Sequence, residues 1–184
     1  MKLRRISDEV FVAPGPIVRL GSEDIDFLKR QASLNPRGRA RICAHGDNED
    51  AIHEMVIAIS SSSYIRPHRH IEKSESFHIV DGSVDVVMFD DDGGITDVIE
   101  LGDRNSGRSF FYRLSESRFH MPVSRTDVLV IHEVTNGPFD RDRTIFAPFA
   151  PAEDQIDRAR KYMSEVMAAV AQYAGSRRKI PSSQ

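Results

Sequence analysis

The sequence predicts an all-β domain, an antiparallel sandwich or barrel, with one helix before it and a longer helix after it. Two observations carry this. Between Met55 and Val134 the chain repeats short runs rich in β-branched and aromatic residues, parted by turn residues. Beyond Pro148 and Pro151 the apolar period changes to three and four, which is helical. No βαβ rhythm and no internal repeat is visible, so a parallel sheet or a solenoid is not expected.

The elements follow in order. "EVFVAPGPIVRL" gives a short strand at Val10 to Val12, then a Pro/Gly break. "GSEDIDFLKRQASLNP" reads as a helix capped by Ser22, with Glu23, Asp24 and Asp26 at its positive end. Ile25, Leu28 and Ala32 share a face, and Asn35-Pro36 stops the helix. "GRARICAHG" alternates: Arg39, Arg41, Cys43 and His45 fall on one side, Ala40, Ile42 and Ala44 on the other. The strand runs are "EMVIAIS", "SYIRPHRH", "SFHIVDG", "SVDVVMFD", "ITDVIEL", "SFFYRL" and "DVLVIHEV", with "DDDGG" at 90–94 as a hairpin signal. Ile156, Ala159, Met163, Val166, Met167 and Val170 line one face of a helix expected over 153–174 and ended by Gly175. The expected organisation is an N-terminal strand and helix over 1–36, the β domain over 37–150, the C-terminal helix over 151–175 and a disordered tail over 176–184.

Composition narrows the function classes. The chain has 184 residues, 40% hydrophobic and 29% charged, which is enough for one sizeable core. A net charge of -3 gives no general attraction to nucleic acid or to an anionic membrane, so neither is an expected partner. A single cysteine, Cys43, excludes an internal disulfide. No apolar run reaches the length of a membrane span, and "MKLRRISDEV" has no apolar stretch behind its basic start. The expected location is the cytoplasm. Exposed sheet edges and the apolar helix face make a homodimer the expected assembly.

The chemistry is concentrated in "YIRPHRHIEKSESFHIVDGSVDVVMF" at 64–89. Strand alternation would put Tyr64, Arg66, His68 and His70 on one face. Glu75 begins the next strand and shares the parity of Phe77 and Ile79, the apolar face, so it should point inward. An inward carboxylate beside two inward imidazoles is costly unless something pairs it. A divalent cation neutralises it and uses the imidazole nitrogens at once. His120 is a candidate fourth ligand. Three histidines and one carboxylate would leave open positions for substrate, water or dioxygen. The bland alternative is a polar outer strand face. Arg66 is either an anion clamp or a solvated arginine. Tyr64 either lines the site or fills the barrel, and His45 is either a loop residue or a wall of the cavity. His132 and Glu133 lie on opposite strand faces, so at most one of them faces inward. His78 should face away, and His53 reads as surface.

His68-x-His70, four residues, Glu75, six residues and Gly82 resembles the first cupin motif, with Ser62 where its leading glycine stands. In the second motif Ser115, Ser117 and Ser124 replace the proline, glycine and asparagine, and His120 remains. "SYIRPHRH", "FDDDG" and "NGPFDRDRTIFAPFAPAED" are similar to the WbuC-type cupin metalloproteins, a family associated with bacterial surface-polysaccharide gene clusters. The likeness covers about residues 24 to 154. It implies a cupin jelly-roll barrel, the double-stranded β-helix, between the two helices. It also implies one divalent transition metal (iron, manganese, nickel, cobalt or zinc) on His68, His70, Glu75 and His120. The likeness does not supply a substrate. The expected function is a metal-dependent enzyme on a small anionic or sugar-derived substrate, isomerase- or epimerase-like or an oxygenase, with Arg66, Tyr64 and His45 as substrate contacts. The alternative is a non-catalytic, metal-containing ligand-binding or regulatory module.

Overall fold

The computed structural model describes residues 2–177. Four layers stack: helix, seven-stranded sheet, five-stranded sheet, helix. The strands are β1 (Arg4–Arg5), β2 (Val10–Val12), β3 (Arg39–Cys43), β4 (Ile52–Ser60), β5 (His68–His70), β6 (Glu75–Asp81), β7 (Ser83–Phe89), β8 (Ile95–Gly102), β9 (Phe111–Leu114), β10 (Phe119–Ser124), β11 (Val128–Asn136) and β12 (Thr144–Phe146). The helices are α1 (Ser22–Leu34) and α2 (Ile156–Arg177). One sheet runs β1-β2-β3-β4-β11-β6-β9 and the other β12-β5-β10-β7-β8. All pairings are antiparallel except β2 with β3. This is a jelly-roll arrangement, mostly β with two flanking helices.

The core between the sheets holds Phe77 and Ile79 of β6, Val84, Val86 and Met88 of β7, and Leu129 and Ile131 of β11. The outer face of the seven-stranded sheet (Ala40, Ile42, Ala58, Val130) packs under Leu28 and Ala32 of α1. The outer face of the five-stranded sheet (Val87, Phe89, Met121, Val123) packs under Val166 and Val170 of α2. Burying each such valine contributes roughly 1.5 kcal/mol or more. Gly82 closes the β6–β7 turn with φ +89°, and a side chain there would strike the Thr126 hydroxyl. The motif glycine therefore serves the turn, not the chemistry. Among the described residues, no helix is long and apolar enough to cross a membrane.

Several expectations need correcting. Gly21, not Ser22, caps α1, because the Asp24 carboxylate accepts from the Gly21 N–H at 2.9 Å and closes the first turn. "SYIRPHRH" is not one strand: only His68–His70 pairs, and Tyr64 to Pro67 run irregularly. Pro67 lacks an N–H and biases the residue before it, which breaks the alternation counted from Tyr64. The α2 helix begins at Ile156 and continues through Gly175 to Arg177, because one glycine costs a helix only about 1 kcal/mol. Ile156 and Met167 are exposed at 59% and 43%, so its packed face is Ala159, Met163, Val166 and Val170. That face is covered by the chain's own sheet. The expected disordered tail lies, from residue 178 onward, outside the described residues. His53 is buried, not superficial: the 46–50 turn folds over it, and its ring stacks on His45 at 4.1 Å.

Candidate metal centre

Three strands bring the candidate ligands together. Glu75 opens β6 on the inward face it shares with Phe77 and Ile79, and is 4% exposed. His120 lies on β10 opposite Met88, also inward, while Phe119, Met121 and Val123 alternate outward beneath α2. His68 on β5 is paired directly with His120, and His70 follows one alternation later. One donor atom from each of His68, His70, Glu75 and His120 falls within 4.8 Å of the others. Ligand bonds of about 2.0–2.2 Å place donor pairs about 3–4.4 Å apart, so a small contraction closes the set on one ion.

The hydrogen bonds aim the rings. His68 Nδ1 lies 3.0 Å from the Arg66 carbonyl, His120 Nδ1 3.0 Å from the Arg118 carbonyl, and His70 Nδ1 3.2 Å from the Thr144 hydroxyl. Each ring is thereby anchored at Nδ1 and presents Nε2 to the centre, the usual support for a ligating imidazole. Glu75 Oε1 and His120 Nε2 approach to 2.7 Å, and Glu75 Oε2 and His70 Nε2 to 3.3 Å. Yet Glu75 Oε1 and His120 Nε2 are both buried without a properly directed hydrogen bond. They pair by charge at 2.7 Å, at the point where the four donor atoms meet. Orphaned buried polar atoms are rare and costly. A cation at that point satisfies both, and the nitrogen and oxygen donor set suits a first-row transition ion.

The electrostatics agree. Burial opposes the charge on Glu75, but the charge of His120 and the contacts with His120 and His70 outweigh it and hold the carboxyl below the usual range. Burial also opposes charge on His120, and Glu75 reverses that, pushing its pKa up. His68 is pushed down to about 4, by burial first and then by the His120 charge. The metal-free site is thus an ion pair plus a neutral imidazole, and a neutral imidazole is the ligating form.

Two cavities flank this cluster, and Thr144 lines both. One, of about 480 Å3, reaches His68 beside Arg66 and Phe146. The other, of about 750 Å3, reaches His70 beside Glu133 and His45. Arg66 donates to the Ala147 carbonyl at 2.6 Å and lies over the Phe146 ring, while its buried Nε has no partner. Tyr64 does not join the cluster. It packs among the residues beneath α2, edge-on to Tyr162, and its hydroxyl donates to the Pro151 carbonyl at 2.9 Å. His45 lies in the wall of the larger cavity, with Nδ1 3.1 Å from the Glu54 carbonyl. His78 faces outward and is exposed.

Glu133 is the residue that sequence reasoning left open. It faces the larger cavity, while His132 lies 3.9 Å from Glu54 on the other face of β11. Burial first, and then the Glu75 charge, push its carboxyl up to about 7. Strand parity relative to Ile131, an inner-core residue, would have placed Glu133 on the inner side.

A family model described as a domain of unknown function (DUF6016) matches residues 20–101. That span includes His68, His70 and Glu75 but stops before His120. No curated protein matches the chain. Among solved structures, a Shewanella oneidensis protein is similar at 12% identity and a TM-score of 0.50, over 61% of this chain and 75% of that one. A salicylate 1,2-dioxygenase variant from Pseudoaminobacter salicylatoxidans, in complex with gentisate, is similar at 14% identity and a TM-score of 0.50. That likeness covers 70% of this chain but 37% of the dioxygenase. A Klebsiella pneumoniae protein with a double-stranded β-helix domain shows 11% identity and a TM-score of 0.45, over 59% and 79% of the two chains. At such identities the likeness is one of fold. The two-sheet, almost wholly antiparallel topology is that of a jelly roll.

Proposed function

We propose that the protein is a metal-dependent cupin enzyme with one divalent transition ion on His68, His70, Glu75 and His120. Its substrate is a small anionic or sugar-derived molecule, in keeping with the WbuC-type resemblance and a role in surface-polysaccharide metabolism. The observation that carries the reading is the pair of buried, orphaned atoms, Glu75 Oε1 and His120 Nε2, among three imidazoles each anchored at Nδ1. A bound ion would supply Lewis acidity toward a carbonyl or hydroxyl oxygen, or a place for dioxygen.

The chain's own groups do the rest. Arg66 Nε, buried and free, would donate to a ligand oxygen on the His68 flank. His45 would contact the ligand on the His70 flank. Glu133, with a carboxyl pKa near 7, would hold or release a proton close to neutral pH, the property wanted of a general acid or base. Tyr64 contributes packing, since its hydroxyl is committed to Pro151. The proposed assembly is a homodimer, for which Phe110 and Phe111, about half exposed beside the edge strand β9, offer apolar surface.

The test is turnover. Metal-loaded protein is incubated with sugar acids and sugar phosphates while proton NMR follows conversion and an electrode follows oxygen. Conversion that requires the loaded metal and falls in Glu133→Gln supports the enzyme. Saturable binding without conversion would make the protein a non-catalytic ligand-binding module.

A further inference from the structure

The larger cavity is lined by four cationic side chains. Arg4 of β1, Arg41 of β3, Lys73 of the β5–β6 loop and Arg141 of the 3-10 turn before β12 all line it. They come from four separate parts of the chain. Among the described residues no carboxylate lies within ion-pair distance of any of the four, although Arg37 and Arg39 of the other flank are paired. The cavity's acids do not balance them. Its acids, Asp47 and Glu133, number two against the four cations. Lys73 is half-buried and leads directly toward Glu75. Burial pushes the Cys43 thiol and the Glu133 carboxyl up, and Arg41 lies close enough to offset part of that push on each.

Unpaired surface arginines are ordinary when they point singly into water. Four cations converging on one concavity that ends at a candidate ligand are not. Their mutual repulsion raises the free energy of the empty cavity, and a ligand oxyanion relieves it. At about 750 Å3 the cavity suits a small metabolite.

We propose that this cavity is the recognition site for the ligand's oxyanion, a carboxylate or a phosphate monoester. Arg41 and Lys73 are its main contacts, and Arg4 and Arg141 guard the mouth. The position of the reacting end rests on the metal reading above; the anion site itself does not. Arg4 also gives the N-terminal strand a part in selecting the ligand.

The experiment is calorimetric titration of the full, metal-loaded chain with succinate and with glycerol 3-phosphate, against succinamide and glycerol as neutral counterparts. At least one anion binds and its neutral counterpart does not, and binding weakens as salt is added. Arg41→Met and Lys73→Met each weaken it by about tenfold or more, the scale of a charge-assisted hydrogen bond, with metal content unchanged. Succinate alone binding assigns a carboxylate, and glycerol 3-phosphate alone assigns a phosphate. Should the half-buried Lys73→Met not fold, Arg41→Met decides together with Arg4→Gln and Arg141→Gln, all at exposed positions, the last two each expected to weaken binding about twofold to fivefold. The assignment is overturned if neither anion binds the loaded chain. It is equally overturned if binding survives in the Arg41 and Lys73 variants, or in both mouth variants, and is lost in Arg66→Met. A chain that takes up no metal, yet binds an anion through Lys73, keeps this assignment and refutes the metal centre.

Discussion

The two flanks of the histidine cluster use the same kinds of side chain and treat them differently. On the His68 flank, Arg37 and Arg39 both meet Glu153 and Glu9, and Arg66 is tied to the Ala147 carbonyl. On the His70 flank, Arg4, Arg41, Lys73 and Arg141 have no carboxylate within ion-pair distance among the described residues. On the first flank the chain itself meets the charge of Arg37 and Arg39 and leaves only the Arg66 Nε for a ligand. The second lacks its counter-charge and reads as a place where a ligand supplies it. A cation's partner, more than its presence in a cavity, separates a scaffold from a binding wall.

The largest expected effect removes what the flanks share. Glu75→Gln should weaken metal retention more than about 100-fold in chelator competition, beyond what loss of an outer partner costs. Ligand affinity at both cavities should change with it. If one cavity kept its ligand unaltered, the two flanks would not open on a common centre.

The next effect contrasts the flanks directly. Glu153→Ala strips Arg37 and Arg39 of a partner, and Arg39 is only 17% exposed. It should cost about 1–2 kcal/mol in urea unfolding, allowing for the exposure of the network. Arg41→Ala, which breaks no ion pair, should stay within about 0.5 kcal/mol. Equal losses would erase the distinction between paired and unpaired flanks.

The smallest effect sharpens the His70 flank through pH. Glu133 has a folded pKa of about 7 against an ordinary value of 4.5. Between those values the unfolded chain has already lost a proton that the folded chain keeps. Stability of the metal-free protein therefore falls as pH rises through that window and levels off above it. Glu133→Gln should be more stable than the parent by roughly 1 kcal/mol at pH 8 and equal to it near pH 4.5. A difference that did not change with pH would mean Glu133 titrates normally.

Much of this was legible in the sequence, for reasons that can be named. His68, His70 and Glu75 were readable because β6 is buried on one face, so period-two parity fixes where Glu75 points. Strand β10, which carries His120, was not readable as a strand. All its residues are buried, which removes the alternation, and Pro122 argues against a central strand. Its pairing with β5 is confined to His120 and His68, so the proline lies beyond it and is tolerated. Tyr64 was misplaced because parity was carried across Pro67. The four unpaired cations could not be seen at all, since β1, β3, the β5–β6 loop and the 3-10 turn meet only in three dimensions.

The central claim is that His68, His70, Glu75 and His120 hold one ion. Elemental analysis of the purified full-length protein, beside His120→Ala with its fold checked by circular dichroism, tests it most directly. The account predicts about one equivalent of a first-row transition metal per chain in the parent and almost none in the folded variant. A folded parent that remains free of metal after loading, or a variant that keeps the full equivalent, would contradict it.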